Sequence, residues 1–360
     1  IIIAAPNAIR LSEAHLSDTR RDDPRLELLR HWLEAGLGWH GVHLAPASAD
    51  ASFRRYFRVS RDGHEPLIAM DAPPGKEDVG PYLKVAAMLE AVGVNAPRVV
   101  ARNAQDGFLL ITDLGSITYL AELQEPARAE PLYADAIAAL VRIQARGQAH
   151  AAELPPYDER LLRFEMSLFT DWLLGRHLGL ELSAGQSQAL ATEFDTLVAN
   201  ALGQPQVFVH RDYHSRNLMV CEGHNPGILD FQDAVHGPLT YDLVSLLRDC
   251  YVEWPQAQVE RWALGFRRLA AAAGVEAGGS DAEFLRWFDL MGIQRHLKAS
   301  GIFARLWHRD GKPGYLPDVP RTLGYIVGAC SQHAEFAALG ELVAERVLPA
   351  MQATLGAGRP

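Results

Sequence analysis

Residues 207–231, VFVHRDYHSRNLMVCEGHNPGILDF, concentrate the side chains whose types and spacing can do chemistry. Asp212 follows the point where the apolar run Val207-Phe208-Val209 ends at His210. Its carboxylate therefore lies in a loop leaving a buried element, the usual station of a reactive group. Asn217 opens a second apolar run, Leu218-Met219-Val220, and Asp230 follows a third, Ile228-Leu229. Between them Gly223-His224-Asn225-Pro226-Gly227 reads as a chain reversal, so the two runs pair as a hairpin and Asp230 returns beside Asn217. One amide oxygen and one carboxylate at a single point suit Mg2+ that arrives with phosphates, not a metal caged by protein alone. Phosphoryl transfer needs such an ion, and also a carboxylate that orients the attacking hydroxyl and takes its proton. Asp212 is the candidate base; Asn217 and Asp230 are the candidate metal ligands.

Neighbouring residues are weighed against the same chemistry. Asp233 is a candidate metal or substrate contact, whereas Asp242 reads as a brace for the loop or a cap for the next helix. His210 and His214 stand four apart with no third ligand at a zinc spacing, so no zinc site is expected. His214 and Arg216 are instead candidates to face the acceptor.

The elements that must position these groups differ along the chain. Leu26, Leu29, Leu33 and Leu37 give a helix over 25–37. Phe53 to Val59 alternates like a strand, Asp62-Gly63 marks a turn, and Pro66 to Met70 is the returning strand. A helix at 82–92 and two short strands at 97–101 and 108–111 follow. Beyond Leu114-Gly115 helical periodicity takes over at 137–144, 160–178, 186–202 and from Tyr241 onward, apart from the segment 207–231. The fold class is therefore α+β: a small β-rich lobe over 1–113 and a larger α-helical lobe over 114–360.

His210-Arg211-Asp212, Asn217 and Asp230-Phe231 resemble the catalytic loop and metal motif of the protein-kinase-like fold. The continuation Gly237-Pro238-Leu239-Thr240-Tyr241-Asp242-Leu243-Val244 is similar to the aminoglycoside phosphotransferase and choline kinase family, not to protein kinases, which carry A-P-E here. The likeness runs from residue 50 or so to residue 340 or so. It implies a bilobal protein-kinase-like fold, with ATP bound by the first lobe and the catalytic loop, Mg2+ site and acceptor site on the second. Leu109 to Gly115 resembles the family's hinge, which implies that Thr112, Asp113 and Leu114 meet the adenine. There is no G-x-x-x-x-G-K-[ST] loop. The place of a Gly-rich loop falls to Ala49 to Tyr56, where Ser52, Phe53 and Arg54 are candidate phosphate contacts. Met70 stands where the strand lysine is expected, leaving Lys76, Lys84 or one of Arg54, Arg55 and Arg58 to supply that charge, with Glu90 as a candidate partner.

The block Gln294-Arg295-His296-Leu297-Lys298 to Arg305-Leu306, together with Asp230 to Tyr251, resembles the branch that phosphorylates the anomeric hydroxyl of N-acetylmuramate and N-acetylglucosamine in cell-wall recycling. The resemblance implies a small amino-sugar acceptor. Arginines suit a carboxylate-bearing sugar, so Arg248 and Arg295 are candidate substrate contacts, and Tyr251 is a candidate stacking surface. Two other readings stay open: a kinase of another small alcohol such as an aminoglycoside or homoserine, and a non-catalytic nucleotide-binding protein.

Composition narrows the class further. The chain has 360 residues, 48% hydrophobic and 22% charged, which excludes a disordered or low-complexity protein. Its net charge of -10 argues against gripping a nucleic-acid backbone. Three widely spaced cysteines form no disulfide or zinc pattern, and no apolar run approaches the length of a membrane span. Ile1-Ile2-Ile3 is too short for a signal-peptide core, and the start without Met suggests a trimmed or misread start. A cytoplasmic monomer is expected.

Overall fold

Along Arg55–Ser60, Phe57 and Val59 turn into one apolar core while Tyr56 and Arg58 turn to the opposite face, the two-residue period of a strand. The computed structural model describes residues 2–3, 23–50 and 53–357. Its main sheet contains β1 (Ile2–Ile3), β2 (His43–Asp50), β3 (Arg55–Ser60), β4 (Leu67–Asp71), β5 (Val99–Asn103) and β6 (Phe108–Thr112), in the order β1-β2-β3-β4-β6-β5. Every neighbouring pair is antiparallel. Sequence periodicity does not reveal β2, because Pro46 interrupts it. The register shifts between Pro46 and Ser48, where a residue without an N–H is tolerated.

Helix α1 (Pro24–His31) is capped by Asp23, which accepts the N–H groups of Arg25 and Leu26, and it continues as a π-helical turn at Trp32–Gly36. Leu29, Trp32 and Leu33 close one face of the sheet by packing with Phe57, Val59, Ala69, Phe108 and Leu110. Each such burial is worth about 2 kcal/mol. The fully buried Asp71 fastens helix to sheet, accepting from Arg25 Nε at 3.0 Å and Arg55 Nε at 3.0 Å. Losing either partner would leave the other to compensate a buried charge alone, at a cost of about 1.5–3 kcal/mol. Helix α2 (Gly80–Val92) ends at Gly93, whose φ of 80° permits the left-handed cap that returns its N–H to Leu89 and Glu90.

By contacts the chain divides into two units, residues 1–132 with 216–233 and residues 133–215 with 234–360. Helix α3 (Ala129–Arg146) leads into the second. There α4 (Glu159–Leu168), its π-helical continuation Phe169–His177, α5 (Ala184–Gly203), α6 (Tyr241–Leu247), α7 (Gln256–Ala272) and α9 (Val319–Cys330) surround the 30-residue α8 (Asp281–Asp310). Between Leu290 and Lys298 every residue of α8 is buried, as expected of a helix packed on all sides. A Cβ at Gly301 would lie 2.2 Å from the Leu168 carbonyl carbon, so only glycine allows α8 to approach α4 this closely. Four short strands lie between α5 and α6: β7 (Gln206–Val209), β8 (Leu218–Met219), β9 (Gly227–Ile228) and β10 (Val235–Pro238). β7 pairs with β10 in the second unit and β8 with β9 in the first, both antiparallel. Among the described residues no helix is long and apolar enough to cross a membrane.

Candidate active site

Within the first unit, the β8–β9 hairpin sets Leu218 opposite Ile228, and the Leu229 N–H donates to the Asn217 carbonyl at 2.9 Å. That register brings the two candidate metal ligands together. Asn217 Nδ2 lies 3.5 Å from Asp230 Oδ2, and both residues are buried. Asp230 has φ of 63°, a left-handed conformation that a non-glycine residue holds only when its surroundings impose it. Those surroundings include Tyr82 of α2, whose ring packs on Phe231 at 4.8 Å, and Asn95, whose carbonyl accepts the Ile228 N–H at 2.7 Å.

A cavity of about 320 Å3 lies in the same unit. Tyr56, Ile68 and Ile111 line it from the sheet, Met219, Leu229, Asp230 and Arg216 from the hairpin, and Thr112 to Ser116 from the hinge. Apolar walls with a few polar groups suit a flat heteroaromatic ring. The hinge groups are unequally engaged. The Thr112 N–H donates to the Arg98 carbonyl at 3.0 Å. The Asp113 carboxylate takes Arg58 Nε at 2.5 Å and the Gly115 N–H at 2.9 Å, so it shapes the turn. Leu114 lines the cavity, and its carbonyl receives Cys221 Sγ at 3.4 Å.

The position of Met70 is fully buried and paired with Tyr56 and Leu109. Of the cations considered in its place, Arg55 serves Asp71 and Asp23, Arg58 serves Asp113, and Lys76 lies 4.6 Å above the Phe53 ring. Arg54 differs. It is buried, with Nη2 3.8 Å from Asp230 Oδ1 and Nε 4.0 Å from Glu77 Oε2. Glu77 also accepts the Phe53 N–H at 3.0 Å, tying Phe53 and Arg54 to the approach of α2. Glu77 sits by an ordinary polar turn and carries no sequence signal; Glu90, the partner expected from the sequence, is exposed. Ser52 lies outside the described residues.

Asn217 and Asp230 offer hard oxygen donors only, a set that fits Mg2+ and not a softer metal. Among the described residues no group of three or more His, Cys, Asp or Glu is arranged to hold a metal.

In the second unit β7 ends at Val209 and the loop His210 to Ser215 follows. Asp242, near the start of α6, reaches back to it: Oδ2 accepts the His210 N–H at 2.6 Å and Oδ1 the Arg211 N–H at 2.9 Å. Burial pushes the Asp242 carboxyl up to about 7, against the pull of those two donors. Arg211 has φ of 78°, so the residue before Asp212 is also left-handed. Asp249 clamps the other end of the loop, accepting the Ser215 N–H at 3.0 Å, the Ser215 hydroxyl at 2.5 Å and the Tyr251 N–H at 3.0 Å. The Tyr213 hydroxyl donates to the Ala136 carbonyl at 2.9 Å. Asp212 is thus a half-buried carboxylate on a loop held by two buried ones. Asp249 is a brace the sequence did not disclose; its only signal is a second Asp just past the end of the helix that Asp242 opens.

The candidate acceptor contacts separate. His214 and Tyr251 are neighbours in the second unit, ring centroids 5.4 Å apart and edge-on, with Phe303 6.2 Å beyond Tyr251. Arg248 is buried, ion-paired to Asp289 at 2.6 Å and stacked 4.6 Å over Phe288. Arg295 is buried too, but donates to uncharged groups, Ser245 Oγ at 2.6 Å and Cys250 Sγ at 3.4 Å. In the first unit, Arg216 lines the cavity and Asp233 lies on an exposed turn.

An α+β fold with a carboxylate on a loop of this form has the equipment that phosphoryl transfer needs. Residues 43–287 match the phosphotransferase enzyme family, and the chain belongs to it. It is 48% identical over 333 residues to a Pseudomonas aeruginosa protein named N-acetylmuramate/N-acetylglucosamine kinase, covering 90% of this chain and 97% of that one. A Neisseria meningitidis protein of the same name is 43% identical over 322 residues, covering 89% and 95%. Among solved structures, the GDP complex of an aminoglycoside 2'-phosphotransferase superposes with a TM-score of 0.57 at 14% identity, covering 86% of this chain and 99% of that one. Choline kinase LicA from Streptococcus pneumoniae does so with 0.59 at 12%, covering 84% and 99%. The kinase-like α+β fold expected from the sequence is therefore the fold observed.

Proposed function

We propose that this phosphotransferase is an ATP- and Mg2+-dependent amino-sugar kinase that phosphorylates the anomeric hydroxyl of N-acetylmuramate and N-acetylglucosamine. The observation that carries the reading is the near full-length likeness to relatives so named, in a chain that keeps Asp212, Asn217 and Asp230 on a braced loop and hairpin. The cavity beside Thr112 to Gly115 takes the adenine, and Phe53 and Arg54 approach the phosphates; Ser52 is proposed with them from its place in the sequence alone. Arg54 supplies the positive charge that a strand lysine gives elsewhere. Asn217 and Asp230 would hold Mg2+, whose charge, when bound, offsets that of the phosphates.

Asp212 orients the sugar hydroxyl and receives its proton as the oxygen attacks the γ-phosphorus and the bond to the β–γ bridging oxygen breaks. An anomeric hydroxyl is more acidic than an ordinary alcohol, so proton transfer is late and orientation is the larger part of the work. Tyr251 and His214 face the sugar. Arg295 receives the lactyl carboxylate of muramate, since its guanidinium donates to the uncharged acceptors Ser245 Oγ and Cys250 Sγ, whereas Arg248 already serves Asp289. Arg216 and Asp233 are proposed as acceptor contacts from their place in the sequence alone. The small molecule is the partner, and the chain works as a cytoplasmic monomer.

ADP release with each sugar tests the reading. Wild type turns over both sugars, Asp212→Asn does not while still binding ATP, and Arg295→Ala loses more on muramate than on N-acetylglucosamine. ATP bound but never consumed with either sugar refutes the proposal, and equal losses in Arg295→Ala refute the carboxylate assignment.

A further inference from the structure

Glu165 on α4 is 2% exposed, and nothing in the proposed chemistry uses it. Its carboxylate nevertheless collects four side chains of the second unit. The Tyr157 hydroxyl and the Arg211 guanidinium donate to it, Lys298 Nζ lies at 3.1 Å, and Gln294 Nε2 lies 3.3 Å from Oε2. Lys298 Nζ also donates to the Tyr241 hydroxyl at 2.7 Å. Burial alone would push the Glu165 carboxyl up, but Lys298 and Arg211 outweigh it and hold it below its ordinary range. One buried carboxylate thus serves two cations, and only one of them belongs to the loop that carries Asp212.

Arg211 is held at both ends. Asp242 accepts its N–H at 2.9 Å and Glu165 takes its guanidinium, while its backbone keeps a left-handed φ of 78°. A non-glycine residue in that region persists only when its contacts over-determine it. We propose that Glu165 is a positioning residue: by anchoring the Arg211 side chain it keeps the backbone reversed there and so aims the Asp212 carboxylate. Lys298 balances charge and leaves the aim alone. The assignment rests on the kinase reading above for its consequence in turnover, and on the loop's geometry alone for its consequence in structure.

Arg211→Met and Lys298→Met each remove one cation from the same carboxylate, so a purely structural cluster would respond alike to both. Positioning predicts that Arg211→Met and Glu165→Gln lower kcat about thirtyfold or more, with the KM values for ATP and sugar within about twofold, because misaiming a reacting group by a fraction of an ångström has effects of this size. Lys298→Met stays within about threefold of wild type, since the Arg211–Glu165 pair survives. Glu165→Gln leaves two buried cations uncompensated, so Glu165→Gln/Lys298→Met turns over faster than Glu165→Gln alone. Amide hydrogen exchange over 207–215 supplies a readout that needs no acceptor: it quickens about tenfold in Arg211→Met and not in Lys298→Met. Equal effects of the two methionine variants on kcat, or equal exchange in both, overturn the assignment. A wild type inactive on every sugar refutes the kinase reading instead, and the exchange comparison still decides the role of Glu165.

Discussion

Replacing Asp242 by Asn separates the cost of holding the loop from the benefit to catalysis. The amide oxygen can still accept one of the N–H groups of His210 and Arg211, but its NH2 faces the other, leaving a buried donor unsatisfied at about 1–3 kcal/mol. Against this stands relief from a buried carboxylate. Burial raises the Asp242 carboxyl from its ordinary 3.8 to about 7, and at 1.36 kcal/mol per tenfold change in proton affinity this amounts to about 4 kcal/mol of destabilisation above neutrality. The folded state holds this proton more tightly than the unfolded chain, so the wild type loses stability as pH rises from about 4 to about 7. The variant lacks that dependence. Urea unfolding at pH 5 and pH 8 should therefore show the stability difference moving by about 3 kcal/mol in favour of Asp242→Asn, which at pH 8 matches or exceeds the wild type. Turnover at pH 8 should nonetheless fall about a hundredfold, because the backbone before Asp212 has lost half its support. A difference independent of pH, or turnover within about threefold of wild type, would refute this account of the loop.

Other consequences are as specific. Arg54→Met should raise the KM for ATP about tenfold and spare that for the sugar, whereas Arg55→Met should lower the melting temperature and leave both unchanged; the reverse pattern in steady-state kinetics and melts would exchange their roles. Gly301→Ala should cost about 3 kcal/mol or more in thermal unfolding, because its Cβ would overlap the Leu168 backbone, while Gly324→Ala, with open space around it, should be neutral or slightly stabilising. Burial, reinforced by Arg295, lowers the His296 imidazole to about 3, so the folded state refuses a proton that the unfolded chain accepts below pH 6.5. Stability is lost as pH falls through that window, and His296→Gln should lose about 2 kcal/mol less than wild type between pH 6.5 and 4.5; parallel slopes in urea melts would contradict this.

What the sequence disclosed follows local rules, and what it hid depends on distant partners. The hairpin joining Asn217 to Asp230 was legible because apolar runs flank a turn over a short span. The opposite roles of Arg54 and Arg55 follow from strand parity, which the alternation of residues 53–59 carries, but choosing between them required Asp71 and Asp230, distant in sequence. Arg248 and Arg295 look equivalent as basic residues beside apolar ones. Only the fold pairs the first with Asp289, 41 residues away, and leaves the second with Ser245 and Cys250. β2 was invisible because its proline suppresses the strand pattern, and Glu165 because it reads as one more polar residue on an amphipathic helix.

Phosphorus NMR of the purified protein with Mg2+-ATP and N-acetylmuramate, N-acetylglucosamine or kanamycin reads the transferred group directly. The account predicts a sugar phosphate coupled to the anomeric proton with each amino sugar, and no product from Asp212→Asn. Phosphate appearing only on kanamycin, or on a sugar carbon other than the anomeric one, would contradict it.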